Sequence, residues 1–222
     1  MPALALANSL PAARFGSAFS GALDEYTSNL HACWSVARRV LSSYDGALIR
    51  VRESSGNTEA DIGFNSDGSL DTAALASHVG SNNGLVTKIY DQSGNGRDWA
   101  QATTTKQPRI ISSGTMDTFN GGSVPCVTGQ TAGAQGMETS AFTMLTGANY
   151  TTASVANVTT ANIGRRISIS GAKTGTGDDS STGLGAVYIG SGGPTSFEGA
   201  NRASLSLSVP YALAVGFTVT GS

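Results

Sequence analysis

Residues 89–101 (IYDQSGNGRDWAQ) contain the densest group of side chains in the sequence that can perform chemistry. The oxygens of Asp91, Asn95 and Asp98 can accept hydrogen bonds from backbone N–H groups or from a sugar, and they can also bind a hydrated cation. The two glycines of this loop permit positive φ, which favours a compact and rigid turn. The spacing of the oxygens does not match an EF-hand calcium loop. A loop-organising role and a ligand-contact role both stay open.

Four residues of this loop are our candidates for organising it or for contacting a carbohydrate: Asp91, Gln92, Asn95 and Trp99. We predict that Asp91 accepts backbone hydrogen bonds and that Trp99 returns to the core as an apolar anchor. The two histidines, His31 and His78, have no partner at metal-ligand spacing, and the sequence has neither a GxSxG nor a P-loop motif. The sequence therefore predicts no catalytic residue, no metal site and no cofactor.

Composition limits the class of protein and its partners. The 222 residues suit one β domain, and charged residues make up 13% of them, about half of the usual share. The net charge of −2 provides no basic surface for nucleic acid or for an anionic membrane. No apolar run approaches the roughly 20 residues of a membrane helix, and residues 1–10 lack the basic region of a signal peptide. Cys33 and Cys126 are predicted to be buried free thiols.

Helical and strand periodicities indicate where the chain forms regular structure. The apolar pattern predicts short helices at about 27–43 and at 70–79, the second capped by Asp71 or Thr72. Alternating or apolar runs predict strands at 47–53, 61–64, 85–90, 109–111, 123–127, 150–158, 166–170, 185–189, 203–209 and 212–219. Many short strands with turn residues between them predict an all-β sandwich or jelly roll with one or two short helices.

The ends of the sequence suggest an assembly. We interpret residues 1–28 as an N-terminal docking arm and residues 29–222 as the sandwich. The apolar strand at 212–219 has no strand after it, so either the chain continues or another subunit covers that edge. The arm carries several apolar side chains that would be exposed in water. We therefore expect a homo-oligomer, with a trimer favoured, that buries the arm and the strand.

Four segments in register resemble the catalytic domain of family 54 arabinofuranosidases, and still more closely its phage and prophage relatives in virion-associated proteins. They are IRVR at 49–52, DIGF at 61–64, LDTAAL at 70–75 and YDQSGNG at 90–96. The resemblance covers residues 35–112 well and implies a concanavalin A-like jelly-roll β-sandwich. For the enzymes of the family it implies hydrolysis of arabinofuranosides with a pair of carboxyl groups.

The resemblance departs from the enzymes at their catalytic residues. Arg165 and Arg166 stand nearest to the place of the family's adjacent cysteine pair. Glu198 stands nearest to the place of its nucleophile, and Ser196 stands where the family has an aspartate. We place Glu198 in a glycine-rich turn and the pair Asp178–Asp179 in a solvated loop. A retaining glycosidase needs two carboxyl groups about 5–5.5 Å apart, and we expect no such pair here.

Because no catalytic pair is expected, the sequence favours a non-enzymatic structural protein of a tailed-phage virion. It would be a head fibre, a decoration protein or a tail-associated subunit, located at the virion surface. Its partners would be other copies of the chain, other virion proteins and surface glycans, with no nucleic acid and no membrane. Two alternatives stay open: an arabinofuranosidase-like glycoside hydrolase and a carbohydrate-binding module.

Overall fold

The computed structural model describes residues 19–28, 30–129, 136–140, 149–156, 165–170, 173–176, 185–190, 193–198 and 211–218. These residues form one α-helix, α1 (Thr72–Val79), and three 3₁₀ turns at Asp24–Tyr26, Thr104–Lys106 and Phe119–Gly121. Their strands are β1 (Ile49–Glu53), β2 (Glu59–Ile62), β3 (Gly84–Ile89), β4 (Trp99–Ala100), β5 (Arg109–Ser112), β6 (Thr115–Met116), β7 (Met137–Glu138), β8 (Asn149–Ala156), β9 (Arg165–Ser170), β10 (Lys173–Thr176), β11 (Gly185–Gly190), β12 (Gly193–Glu198) and β13 (Tyr211–Thr218).

One large antiparallel sheet connects most of these strands. Its order is β12-β11-β9-β10-β7-β4-β3-β1-β2, and β5 joins it by pairing with β3 and with β6. β8 and β13 form a separate two-stranded ribbon that is paired over eight residues of each strand. The strand predicted at 212–219 thus has a pairing partner over residues 212–218, the part that the structure describes. The predicted all-β fold with a short helix is confirmed.

The core lies under the N-terminal half of the sheet, where β1 and β3 contribute buried side chains from one face. Val51 and Val86 are fully buried opposite each other, and Leu75 and Val79 of α1 are buried in the same cluster. The helix begins as predicted, because the carboxylate of Asp71 accepts a hydrogen bond from Ala74 N at 2.9 Å. The helix predicted at 70–79 is confirmed.

The helix predicted at 27–43 is wrong. The described residues of this region are irregular and non-helical, with turns, bends and an isolated bridge between Arg38 and Ser69. The apolar spacing that indicated a helix instead places Trp34 and Val36 against the core. The backbone groups bond to residues distant in sequence, as with Leu70 N to Ala37 O at 2.8 Å. Tertiary hydrogen bonds and packing therefore replace the helical ones, overriding a modest local propensity.

Other predicted elements have mixed outcomes. No strand forms at 123–127, where single bridges join Thr118 to Pro125 and Arg109 to Thr128. The strand predicted at 203–209, the pair Asp178–Asp179 and residues 1–18 of the arm lie outside the described residues. The rest of the arm contacts the domain, since Leu23 N donates to Val40 O at 3.0 Å and the Phe19 ring lies 4.1 Å from the Arg39 guanidinium. The domain boundary and the oligomer stay predictions. Among the helical residues described, none forms a segment long and apolar enough to cross a membrane.

Candidate functional site

Asp91 is the centre of the loop that follows β3. Its side chain is buried, and its two oxygens accept four hydrogen bonds: Cys33 N at 3.0 Å and Ser93 N at 2.9 Å bind Oδ1, while Ser93 Oγ at 2.8 Å and Arg97 N at 3.1 Å bind Oδ2. Four bonds use the ordinary acceptor capacity of a carboxylate. Asp91 thus closes its own loop and also fixes the chain at Cys33.

Gln92 extends this link to the segment 30–40. Only 2% of the residue is exposed, and its amide bonds to the backbone in both directions, accepting from Val40 N at 2.7 Å and donating to Arg38 O at 3.2 Å. Gln92 N also donates to Cys33 O at 2.8 Å. This side-chain amide both donates and accepts, so it satisfies backbone groups of segment 30–40 that a helix would have paired internally.

Asn95 and Trp99 complete the contact between the loop and this segment. Asn95 Nδ2 donates to the carbonyls of Leu30 at 3.1 Å and His31 at 3.0 Å. The ring of Trp99 lies 4.8 Å from that of Trp34, and Trp34 Nε1 donates to Arg97 O at 2.8 Å. The sequence analysis assigned Trp34 to a helix and did not identify it as part of this site. Nothing in a linear sequence indicates that an indole will bond to the carbonyl of a loop more than 60 residues away.

These bonds limit what the four candidate residues can bind. Both oxygens of Asp91 are occupied and Gln92 is buried, whereas Asn95 is exposed and Trp99 is half-buried. Carbohydrate contact stays a prediction for the loop. Across the described part of the chain, no group of three or more His, Cys, Asp or Glu side chains is placed to hold a metal ion.

The two histidines and the two cysteines lie in different environments. A ring nitrogen of His78 lies 3.0 Å from Val51 O, and burial lowers the pKa of His31. Cys33 is buried and Cys126 is half-buried, and both are free thiols. Burial raises the pKa of Cys33 to about 12 and also raises that of Cys126. Neither thiol is activated as a nucleophile in this environment.

A second polar group lies on the open face of β1, β2 and β3. Arg50 forms a two-pronged ion pair with Asp61, with both N–O distances at 2.7 Å, and Tyr90 Oη donates to the same carboxylate at 2.7 Å. The Arg50 guanidinium holds the pKa of Asp61 below its ordinary value. Beside them, Lys88 pairs with Asp98 at 3.3 Å. These groups neutralise one another at the surface.

The C-terminal strands place Glu198 differently from the sequence prediction. Glu198 is the last residue of β12 and pairs with Ala186 of β11, so its assignment to a glycine-rich turn is wrong. Ser196 and Glu198 lie on one face of β12, since residues two apart on a strand share a face. Tyr188 of β11 pairs with both Ser196 and Arg166, which places Arg166 on that same face of the sheet.

Comparisons with known proteins agree on one family. Residues 24–165 match the family model described as alpha-L-arabinofuranosidase B, catalytic. The alpha-L-arabinofuranosidase B of Emericella nidulans is 40% identical over 87 residues, which are 37% of this chain and 17% of that protein. The present chain therefore spans a small part of the length of this relative.

Solved structures show the same fold. A family 54 α-L-arabinofuranosidase soaked with a cyclic sulfate inhibitor has a TM-score of 0.61 at 21% identity, covering 89% of this chain and 48% of that one. An arabinofuranosidase in complex with arabinofuranosyl-α-1,2-xylobiose has a TM-score of 0.53 at 22% identity, covering 77% of this chain and 38% of that one. The predicted fold class is confirmed.

These findings contradict the function that the sequence analysis favoured. The prediction of a non-enzymatic virion protein is wrong, because the family model and the relatives all point to a glycoside hydrolase family. The resemblance to family 54 is confirmed, while the relation to phage proteins stays a prediction. The error arose because a missing catalytic pair was taken as evidence against the enzyme alternative.

Proposed function

Because the chain belongs to the alpha-L-arabinofuranosidase B catalytic family, we propose that the protein is a glycoside hydrolase that removes arabinofuranosyl groups. The observation that carries this proposal is the family match over residues 24–165. The ligand of one structural relative, an arabinofuranosyl xylobiose, makes arabinosylated xylan a suitable polymer for testing.

Glu198 is our candidate for one of the two carboxyl groups that such hydrolysis requires. It ends β12 on the same face of the sheet as Arg166, Tyr188 and Ser196. A polar face formed by adjacent strands can hold a carboxylate and hydrogen-bonding groups close to one sugar.

Glu138 is excluded as the second carboxyl group. It lies on β7, four strands away from β12, through β10, β9 and β11. Four strand spacings of about 4.8 Å separate the two backbones by ~19 Å. Glycosidase carboxyl groups lie at most about 9.5 Å apart. We assign Glu198 alone and leave its partner unassigned.

Hydrolysis of 4-nitrophenyl α-L-arabinofuranoside, the ligand in one structural relative, tests the proposal. We expect the full-length protein to release 4-nitrophenol and Glu198→Gln to lower kcat/KM by at least about a hundredfold. Glu25→Gln, an exposed glutamate in the 3₁₀ turn Asp24–Tyr26, is the matched control and should keep full activity. A wild-type protein inactive on aryl arabinofuranosides would refute the proposed function. Full activity of Glu198→Gln would refute the assigned residue.

A further inference from the structure

Arg52 of β1 is a buried cation that has no acidic partner among the described residues. Only 7% of the residue is exposed. Its guanidinium bonds to two neutral amide oxygens, with Nε 2.8 Å from Gln107 Oε1 and Nη1 2.6 Å from Asn57 Oδ1. The three ion pairs in the described part of the chain involve other bases. Because a charge taken out of water without a counter-ion is costly, the charge of Arg52 calls for an anion.

Two acidic residues lie near Arg52, and neither forms an ion pair with it. Glu53 is the next residue in the chain, but its carboxylate bonds to Ser55 N and, at 2.6 Å, to Gly56 N, so that it acts on Arg52 only at longer range. Glu59 is opposite Arg52 in the register of β1 and β2, where it is exposed to water. An exposed glutamate side chain is hydrated, and holding it against a neighbour has an entropic cost.

The unused donors of Arg52 point to the kind of ligand. A guanidinium has five N–H donors, and the described residues accept from two of them. Nη2 has no partner in the described part of the chain, yet it is not an enclosed atom, so the surface gives access to it. The free N–H groups of Nη1 and Nη2 form a fork that fits two oxygens of a carboxylate or a phosphate.

The two amide partners hold this fork in a fixed position. Gln107 is 3% exposed, and its Nε2 donates to Gln101 O at 3.0 Å, which directs its Oε1 toward Arg52. Asn57 lies in the turn between β1 and β2 with a φ of 58°, which is uncommon for residues other than glycine. This backbone conformation accompanies the bond from Arg52 to its side chain. A guanidinium fixed on two sides is preorganised for a ligand on its remaining side.

We propose that Arg52 is the centre of an oxyanion site, where Nη1 and Nη2 bind the carboxylate or phosphate group of a small anion. The ligand supplies the counter-ion that the described residues lack, while Gln107 and Asn57 keep the guanidinium in place. An anion that binds the folded protein and not the unfolded chain stabilises the fold. Anion binding at Arg52 uses none of the groups assigned to hydrolysis, so it is independent of the proposed function.

Thermal unfolding of the full-length protein tests the site. Tm is measured at neutral pH in sodium chloride, with increasing inorganic phosphate or acetate at constant ionic strength. We expect the Tm of the wild type to rise and then reach a plateau at least about 3 °C higher. A larger rise with phosphate would identify a phosphate group as the ligand, and a larger rise with acetate would identify a carboxylate. General salt stabilisation, in contrast, increases without a plateau.

Three variants assign the response to Arg52. Arg52→Gln should abolish the rise in Tm, whereas Arg38→Gln, the matched control at an exposed arginine, should keep it. Asn57→Asp decides the matter if circular dichroism shows that Arg52→Gln does not fold. It puts a carboxylate oxygen where the amide oxygen now bonds to Nη1, and aspartate tolerates a positive φ. This internal counter-ion should raise Tm in chloride and abolish the further rise with phosphate or acetate.

Several outcomes would overturn the oxyanion site. One is a wild-type Tm that is the same in all three salts or that rises without a plateau. Another is an equal response in folded Arg52→Gln and Arg38→Gln, or a response that persists in Asn57→Asp. The third concerns Glu59, the residue opposite Arg52. If Glu59→Gln lowered Tm in chloride and introduced an anion response that the wild type lacks, Glu59 would be the counter-ion and no ligand would be needed.

Discussion

Removing the carboxylate of Asp91 should destabilise the protein far more than removing a similar carboxylate at the surface. Asp91→Ala leaves four donors without an acceptor: three backbone N–H groups and the Ser93 hydroxyl. Cys33 is buried, whereas Ser93 and Arg97 are half-buried and can regain water. Hydrogen bonds to a charged group contribute about 1.5–3 kcal/mol each. With water replacing the outer bonds, we expect a total loss of about 3 kcal/mol.

Asp67→Ala is the matched control. Asp67 also accepts a backbone N–H and a hydroxyl, both from Ser69 at 2.9 and 2.6 Å, but in an exposed turn. Its loss should be clearly smaller, because water replaces both bonds. Asp91→Asn, which keeps one oxygen acceptor, should fall between the two. Urea unfolding monitored by tryptophan fluorescence is the assay, since Trp34 and Trp99 lie against each other beside this loop.

The outcome that refutes this reasoning is a similar shift in the unfolding midpoint for Asp91→Ala and Asp67→Ala. Such a result would mean that the link between the loop and segment 30–40 contributes little to global stability. A cation chelator offers a second test. If it lowered the urea midpoint of the wild type, the Asp91 oxygens would be assigned to a metal ion and the account would be contradicted.

Two further predictions concern a pair of thiols and a pair of glycines. At pH 8, Ellman's reagent should label the half-buried Cys126 before the buried Cys33. Burial raises the pKa of Cys33 to about 12 and so keeps its thiol protonated. Faster labelling of Cys33 would contradict its burial. Gly68→Ala should lower Tm more than Gly94→Ala, although both positions have positive φ. A Cβ at Gly68 would lie 2.2 Å from the Phe19 ring, whereas a Cβ at Gly94 would meet no atom within 4 Å. Equal Tm values would show that Phe19 moves aside without cost.

The sequence by itself determined the elements whose signals are local. The alternation in β1, the Asp71 cap of α1 and the turn residues around them depend on neighbours within a few positions, so the all-β class with one helix was predictable. The polar and apolar neighbours along each strand were also present in the sequence. What they could not reveal was the order of the strands in the sheet.

Only the tertiary structure determines the conformation of segment 30–40. Its apolar spacing indicated a helix, but Gln92 and Asp91, more than 50 residues away, bond to its backbone and hold it in a non-helical conformation. The register of β11 with β12 likewise moved Glu198 from an expected turn to the end of a strand. In segment 30–40 the deciding hydrogen bonds join residues far apart in sequence, and their energy exceeds the few tenths of a kilocalorie per residue that local propensity supplies. Glu198 instead depends on the pairing of two consecutive strands, which extends through the glycine-rich sequence to that residue.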